Sequence, residues 1–296
     1  MKRKLSVVCF GEVLWDHLLK GKRIGGAPLN VALRMASYGI PTTMISRIGD
    51  DKEGQDIKEY ILRHQLESIL QVDSELQTGK VVVDLDKNGD AEYTILKPVA
   101  WDNIVYSKAI ETATMNSEIF IFGSLICRSE VSKTTLIKCL EIANFRVFDV
   151  NLRNPVIEIE TLKMLMSKSD FLKFNESELF YICKELGFEE KVISKCIEFI
   201  SEISSCKEIC VTRGGKGVVL FIDNKFYHNS GFKVNIRDTV GAGDSFLATL
   251  LKELKTGKPP MQALDFASAV GSLVASKEGA NSQIEYTEIQ KLMWVD

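Results

Sequence analysis

The sequence predicts an α/β fold in which helices cover both faces of a mostly parallel sheet. Short apolar runs alternate with segments of helical periodicity, which is the rhythm of β-α-β units. Hydrophobic residues make up 45% of the 296 residues, enough for one large core. The predicted strands are residues 6–10, 43–48, 119–122, 147–150, 171–174 and 209–212.

Two regions interrupt this alternation. Residues 79–96 contain two runs of strand-forming residues joined by Lys87-Asn88-Gly89-Asp90, and an Asn-Gly pair between such runs signals a β-hairpin. Residues 12–24 lack helical periodicity and lead from the first strand to Gly25. The pattern leaves open whether the hairpin is a surface decoration or a functional element.

Composition excludes several classes of function. A net charge of -3 and the lack of a basic cluster with interleaved aromatic residues argue against nucleic-acid binding. No segment approaches the roughly 20 apolar residues that span a bilayer. The seven cysteines form no C-x-x-C pair, so neither a disulfide framework nor a zinc site is indicated, and a reducing cytoplasm is the expected location.

The run Asp238-Thr239-Val240-Gly241-Ala242-Gly243-Asp244-Ser245-Phe246 predicts a phosphate site. The glycines at 241 and 243, on either side of Ala242, allow successive backbone N–H groups to face one concavity, which binds anions without a lysine. Apolar residues then recur with helical spacing from 246 to 254, so the turn opens onto a helix N-terminus.

Asp244 lies where a carboxylate would repel phosphate unless it had a chemical role. Accepting the proton of an acceptor hydroxyl is such a role, which makes Asp244 a candidate general base for phosphoryl transfer. The alternative is that Asp238 and Asp244 only cap an ordinary glycine-rich turn. The absence of G-x-x-x-x-G-K-[ST] excludes a P-loop mechanism.

A second segment, Gly25-Gly26-Ala27-Pro28-Leu29-Asn30-Val31-Ala32, is followed by Gly39 and Gly49. With the Asp238–Phe246 run it resembles both signatures of the ribokinase-like (PfkB) family of sugar and nucleoside kinases. Further similar segments extend the resemblance over the whole chain: residues 149–153, 175–178 and 212–217. The resemblance implies a three-layer α/β/α sandwich with a mostly parallel central sheet. It also implies one kinase domain over residues 1–296, with a small β-sheet lid formed by segments 12–24 and 79–100.

The resemblance implies a sugar site formed by Asp16, Gly26, Asn30 and Arg153. Asp16 follows the first strand, where α/β proteins bind ligands, and its carboxylate can accept two sugar hydroxyls. Gly26 permits close backbone approach, and Asn30 offers a donor and an acceptor on one side chain. The guanidinium of Arg153 can clamp a phosphate oxygen or a sugar oxygen, and the sequence does not decide between them.

The family's N-x-x-E motif is similar to Asn175-Glu176-Ser177-Glu178. It implies that Asn175 and Glu178 orient the phosphates and the water bound to Mg²⁺. Read on its own, the pair Asn175 and Glu178 is also a capping box that opens a helix. Both readings stay open.

The resemblance also implies where ATP and a monovalent cation bind. The residues that line ATP are Thr212, Gly214, Gly217, Ala280 and Asn281. Asp238 and the carbonyl of Val240 resemble part of a monovalent-cation site, for which K⁺ is the expected ion.

Among members of the family, the combination of residues 11–16, 25–30 and 149–153 is most similar to fructokinases. It implies an ATP-dependent kinase that makes fructose 6-phosphate. The alternatives are 2-keto-3-deoxygluconate kinase or another PfkB sugar kinase and, in a different class, a non-catalytic sugar-binding regulator. The sequence does not indicate the oligomeric state, but exposed strands of the lid leave a homodimer open, because an edge strand pairs readily.

Overall fold

The computed structural model describes residues 5–18, 21–85, 91–154 and 156–294. Its larger sheet runs in the order β13-β12-β11-β10-β9-β8-β1-β4-β5. These strands are β1 (Val7–Phe10), β4 (Thr42–Gly49), β5 (Glu67–Asp73), β8 (Ile119–Gly123), β9 (Arg146–Asp149), β10 (Phe171–Asn175), β11 (Glu208–Thr212), β12 (Val218–Ile222) and β13 (Lys225–Asn229). Pairing is parallel from β11 through β5, whereas β12 and β13 are antiparallel. The predicted mostly parallel sheet is confirmed.

Helices cover both faces of this sheet. They are α1 (Ala27–Ser37), α2 (Lys52–Arg63), α3 (Lys108–Asn116), α4 (Glu130–Ile142), α5 (Ile159–Ser167), α6 (Glu176–Glu185), α7 (Ile193–Ser204), α8 (Ala242–Lys255), α9 (Pro260–Ala275) and α10 (Tyr286–Met293). Helices α3 to α7 contribute to one core cluster, and α1, α2, α8 and α9 contribute to another. Val8 and Phe10 belong to the first cluster, Val7 and Cys9 to the second, because successive side chains of a strand point to opposite faces. The strands are therefore buried on both faces, and the three predicted layers are confirmed.

A second sheet has the order β3-β2-β6-β7. It consists of β2 (Leu14–Leu18), β3 (Gly21–Gly25), β6 (Gly79–Leu85) and β7 (Ala91–Ile95). Strands β6 and β7 are the two antiparallel arms of the predicted hairpin. Its expected turn at 87–90 lies outside the described residues. Segments 12–24 and 79–96 therefore meet in one small sheet, although they are distant in sequence.

Glu53, in the first turn of α2, attaches this small sheet to the rest of the molecule. Its carboxylate contacts His17 Nε2 at 3.0 Å, Lys22 Nζ at 2.7 Å and Lys80 Nζ at 2.7 Å. Trp15 Nε1 donates to the Glu53 carbonyl oxygen at 3.0 Å. Burial alone would raise the pKa of the Glu53 carboxyl, but hydrogen bonds from Lys22 and Lys80 outweigh burial and lower it. One face of the small sheet is thereby held against α2.

No helix of the described residues is long and apolar enough to cross a membrane.

Candidate active site

Gly26 brings α1 close to the loop that follows β1. Its φ is +115°, and a Cβ atom at this position would collide with the carbonyl oxygen of Glu12, so only glycine fits. Helix α1 begins at the next residue, which puts Asn30 in its first turns. Asn30 is buried, and its Nδ2 donates to Asp244 Oδ2 at 2.8 Å. The two predicted signatures are therefore in direct contact.

Gly241 allows the start of α8 to approach the loop that contains Ala280. It has a φ of +75°, and a Cβ atom there would collide with Ala280. Helix α8 follows at Ala242, whose N–H donates to the Thr239 carbonyl at 3.3 Å. Gly243 and Asp244 lie in the first turn, where helical N–H groups have no partner further back in the helix. The glycine-rich turn thus opens onto the N-terminus of α8 as predicted, and anion binding by the N–H groups of Gly243 and Asp244 stays a prediction.

Asp244 has the protonation properties of a general base. Burial raises its pKa to about 6, with the negative charge of Asp149 adding to the rise, while the Asn30 hydrogen bond and the charges of Lys173 and Arg153 oppose it. A carboxyl with this pKa is ionised at neutral pH yet basic enough to accept a proton. A simple capping role does not account for this environment, since the Asp244 carboxylate accepts from the Asn30 side chain and not from a backbone N–H of α8.

Lys173 is a functional candidate that the sequence reasoning missed. It lies on β10, is only 7% exposed, and its Nζ is 2.7 Å from Asp149 Oδ1 on the adjacent strand. Burial alone would lower the pKa of Lys173, but the charges of Asp149 and Glu178 outweigh burial and raise it. A Cβ atom at Gly243 would lie 3.7 Å from Lys173 Nζ, so the ammonium adjoins the first turn of α8. The available signal was a lysine in a strand predicted to be buried on both faces.

Asp149 has one oxygen without a partner. Its Oδ2 is buried and makes no hydrogen bond within the part of the chain that the structure describes. Buried polar atoms normally have a partner, so an unpaired oxygen in this position marks a place where a ligand or a water can bind.

Asn175 and Glu178 form the predicted capping box at the start of α6. Asn175 Oδ1 accepts from Glu178 N at 2.9 Å, and Glu178 Oε2 accepts from Asn175 N at 2.8 Å. Glu178 Oε1 accepts a further hydrogen bond from Leu152 N at 2.9 Å. Burial is the main cause of its raised pKa, which the charge of Lys173 partly offsets. Because backbone N–H groups already bind both oxygens, the side chain fits contact with a metal-bound water better than direct metal ligation.

The predicted sugar site includes Asp16 and adjoins two further carboxylic residues, Glu12 beside Gly26 and Asp244 beside Asn30. Burial raises the pKa of Glu12 to about 7, and burial also raises the pKa of Asp16. The positive charge of Arg153 lowers the pKa of Glu12, of Asp16 and of Asp244. Its guanidinium therefore lies within electrostatic range of all three carboxyls. Glu12 Oε2 is buried without a hydrogen-bond partner among the described residues. Glu12 is a second residue that the sequence reasoning did not assign to the site.

The residues predicted to bind ATP fall into two groups. Thr212 ends β11 directly beside Asn175 of β10, while Gly214 and Gly217 lie in the turn between β11 and β12. Ala280 packs against Gly241. Asn281 belongs to the same loop as Ala280, and its Nδ2 donates to Asn30 Oδ1 at 3.0 Å. Asn281 therefore contacts the sugar-side residue Asn30, a contact that the sequence did not suggest.

Asp238 has a different environment from the one that the cation prediction assumed. Arg23 Nη1 lies 2.8 Å from Asp238 Oδ2, the same oxygen accepts from Gly279 N at 3.1 Å, and Oδ1 accepts from Val240 N at 3.0 Å. A protein cation and two backbone donors already bind this carboxylate. The side chain of Asp238 thus does not fit a cation ligand as it stands, and the K⁺ site predicted with the carbonyl of Val240 stays a prediction.

Comparison with known proteins identifies the family. The pattern of the pfkB family carbohydrate kinases matches residues 19–286. A fructokinase of Salmonella typhimurium is 28% identical over 278 residues, which cover 88% of this chain and 89% of that protein.

Two solved structures share the fold over nearly the whole chain. An uncharacterized sugar kinase of Pyrococcus horikoshii in complex with ATP has a TM-score of 0.80 and 26% identity, covering 97% of this chain and 99% of that one. A fructokinase double mutant of Vibrio cholerae, in its fructose-, ADP- and potassium-ion-bound form, has a TM-score of 0.82 and 22% identity, covering 98% of both chains. The pattern match and these likenesses, with the contact between the two signature segments, lead to one conclusion: this chain belongs to the pfkB family of carbohydrate kinases, phosphotransferases that act on a sugar hydroxyl.

Proposed function

We propose that this carbohydrate kinase is a fructokinase, which converts fructose and ATP to fructose 6-phosphate and ADP. The observation that carries the proposal is Asp244, held by Asn30 at 2.8 Å in the first turn of α8 and close to the buried Lys173. A base, N–H donors and a fixed cation are the groups that in-line phosphoryl transfer needs. The fructokinase of Salmonella typhimurium, among the relatives, supports fructose as the acceptor.

In the proposed reaction, the oxygen of a primary sugar hydroxyl attacks the γ-phosphorus of ATP while Asp244 accepts the hydroxyl proton. The bond between the γ-phosphorus and the bridging oxygen breaks, and ADP leaves. The N–H groups of Ala242, Gly243 and Asp244 face the γ-phosphate, with those of Gly243 and Asp244 the freer donors. The ammonium of Lys173 stabilises charge on the transferring phosphoryl group. Asn30 keeps the Asp244 carboxylate oriented throughout.

Nucleotide binding is proposed for the second group of predicted residues. Thr212, Gly214 and Gly217 line one side of ATP, and Ala280 and Asn281 close over the other. Asn175 and Glu178 would hold water of a bound Mg²⁺, and the ion would supply positive charge that stabilises the phosphates of ATP. The unpaired Asp149 Oδ2 supports this, since it offers another acceptor for such a water.

The charge of the sugar site favours a neutral substrate. Glu12, Asp16 and Asp244 lie near two cations, Arg153 and Lys173, and Lys173 is already paired with Asp149. A substrate carboxylate would therefore meet net repulsion. Asp16, Gly26, Asn30 and Arg153 are instead proposed to contact sugar hydroxyls. Fructose is therefore preferred to 2-keto-3-deoxygluconate, for which Arg153 would be the carboxylate partner.

The small sheet is proposed to act as a lid that excludes water from the reacting groups. Asp16 belongs to β2, so the sheet contributes a sugar contact directly. The outer strands β3 and β7 leave two sheet edges that a second copy of the chain could pair with. A non-catalytic regulator is disfavoured, because a sugar binder needs neither a base nor a buried lysine beside it.

Replacing the base tests the proposed function. We expect Asp244→Asn to lower kcat for fructose phosphorylation by about 10²- to 10⁴-fold, the range for a general base. The Kd for ATP should change little, because the N–H donors remain. The measurements are ADP release and calorimetric ATP binding, with the surface change Asp56→Asn as control. An unchanged kcat in Asp244→Asn would contradict the assignment.

The pH dependence of the reaction tests the environment of Asp244. Since its pKa is about 6, Asp244 is protonated and inactive as a base below that pH, so kcat/KM should fall on the acid side with a midpoint near 6. The Asn30 hydrogen bond lowers this pKa, so Asn30→Ala should move the midpoint to higher pH. ATP titrates identically in both proteins and cancels in the comparison. Equal midpoints would show that the acid limb does not report Asp244.

The role of Lys173 can be separated from its contribution to stability. Lys173→Met should lower kcat by about 10²- to 10³-fold, as for loss of one transition-state donor. It should also destabilise the fold by about 3–5 kcal/mol, because Asp149 is left buried and unpaired. The double variant Asp149→Asn/Lys173→Met removes both charges and should recover stability in urea unfolding but not kcat. Recovery of kcat together with stability would mean that Lys173 is only structural.

A further inference from the structure

Arg23 extends from the small sheet to the loop that precedes α8. It pairs with Asp16 in the register of β2 and β3, so the two side chains share one face of the sheet. Lys22 and Ile24 point to the opposite face, where Lys22 contacts Glu53 of α2. The guanidinium of Arg23 reaches Asp238 at 2.8 Å and Glu278 at 3.9 Å.

Asp238 joins the two loops that border the anion-binding turn. Its carboxylate accepts from Val240 N, in the loop before α8, at 3.0 Å. It also accepts from Gly279 N, in the loop between α9 and α10, at 3.1 Å. The second loop supplies Ala280, which packs against Gly241. The position of the turn therefore depends on Asp238 staying ionised and bound.

An ionised Asp238 also has an electrostatic cost. Its negative charge lies three residues before Gly241, where the turn proposed to bind the γ-phosphate begins, so without a nearby cation it would oppose ATP binding. A potassium ion is present in the Vibrio cholerae fructokinase structure. In this chain a guanidinium already contacts Asp238 and faces Glu278.

We propose that Arg23 supplies the positive charge at Asp238, so that phosphoryl transfer by this chain does not require K⁺. Arg23 is a positioning residue, acting through Asp238 on the turn. Arg23 belongs to β3, so its guanidinium reaches Asp238 only when the small sheet is docked. Docking of the lid is thereby coupled to the order of the phosphate-binding turn. The inference rests on the proposed kinase reaction.

The test compares the wild type with Arg23→Gln in K⁺ and in tetramethylammonium chloride at matched ionic strength. Lys22→Gln is the matched control, because Lys22 is the adjacent residue in an ion pair on the opposite face. The readouts are kcat/KM for ATP, the calorimetric Kd of ATP and the melting temperature. The last two do not depend on turnover.

We expect the wild type to show the same values in both salts, within about twofold. Arg23→Gln should lose about fivefold in kcat/KM in tetramethylammonium, the upper range for a partly exposed ion pair, and K⁺ should restore most of the loss. Its ATP affinity and melting temperature should also rise with K⁺. Lys22→Gln should show no K⁺ response, because Trp15, His17 and Lys80 still hold the small sheet against α2.

Three results would overturn the inference. They are a wild type that requires K⁺, an Arg23→Gln protein that matches the wild type in both salts, and an Arg23→Gln loss that K⁺ does not restore. Absence of sugar-dependent turnover in every protein and both salts would instead count against the proposed function, and ATP binding in the two salts would still decide the role of Arg23.

Discussion

The contact between the first turns of α1 and α8 is the constraint on which the rest of the site depends. Its hydrogen bonds run from Asn30 to Asp244 at 2.8 Å and from Arg34 Nε to Ser245 Oγ at 3.1 Å. The two helices can approach because Gly26 and Gly241 adopt positive φ where any side chain would collide with a neighbouring loop. This geometry brings together Asp244, proposed as the base, the first N–H groups of α8 and the Asn30 amide, proposed to face the sugar. A side chain at either glycine would push α1 or α8 away from the neighbouring loop and strain this contact.

The candidate site also contains several buried charged side chains. Lys173, Asp149 and Glu178 are each less than 10% exposed, and isolated charges in such positions would be strongly destabilising. Mutual pairing and backbone N–H groups satisfy most of them, and the unsatisfied atoms, Asp149 Oδ2 and Glu12 Oε2, lie where phosphate and sugar are proposed to bind. The site is thus arranged to be completed by its ligands, in keeping with the chemistry of a kinase.

Local patterns in the sequence predicted much of this architecture. The strands read as apolar runs because both faces of the sheet are buried, and Asn175 with Glu178 predicted a capping box because its hydrogen bonds span three residues. Lys173 escaped notice because its partner Asp149 comes from another strand. The Arg23–Asp238 pair joins positions 215 residues apart, so no local pattern could reveal it. The identity of the sugar is likewise unreadable from local patterns, because it depends on how several loops meet.

The most direct test of the central claim is ADP release by the purified protein with Mg-ATP and a panel of acceptors. The panel contains fructose, ribose, glucose, 2-keto-3-deoxygluconate, adenosine and fructose 6-phosphate. We expect strong turnover with fructose and little with the keto acid, because the carboxylates around Arg153 disfavour an anionic substrate. Turnover with the keto acid alone would contradict the substrate assignment while leaving the roles of Asp244 and Lys173 in place. No turnover with any acceptor would contradict the proposed fructokinase function itself.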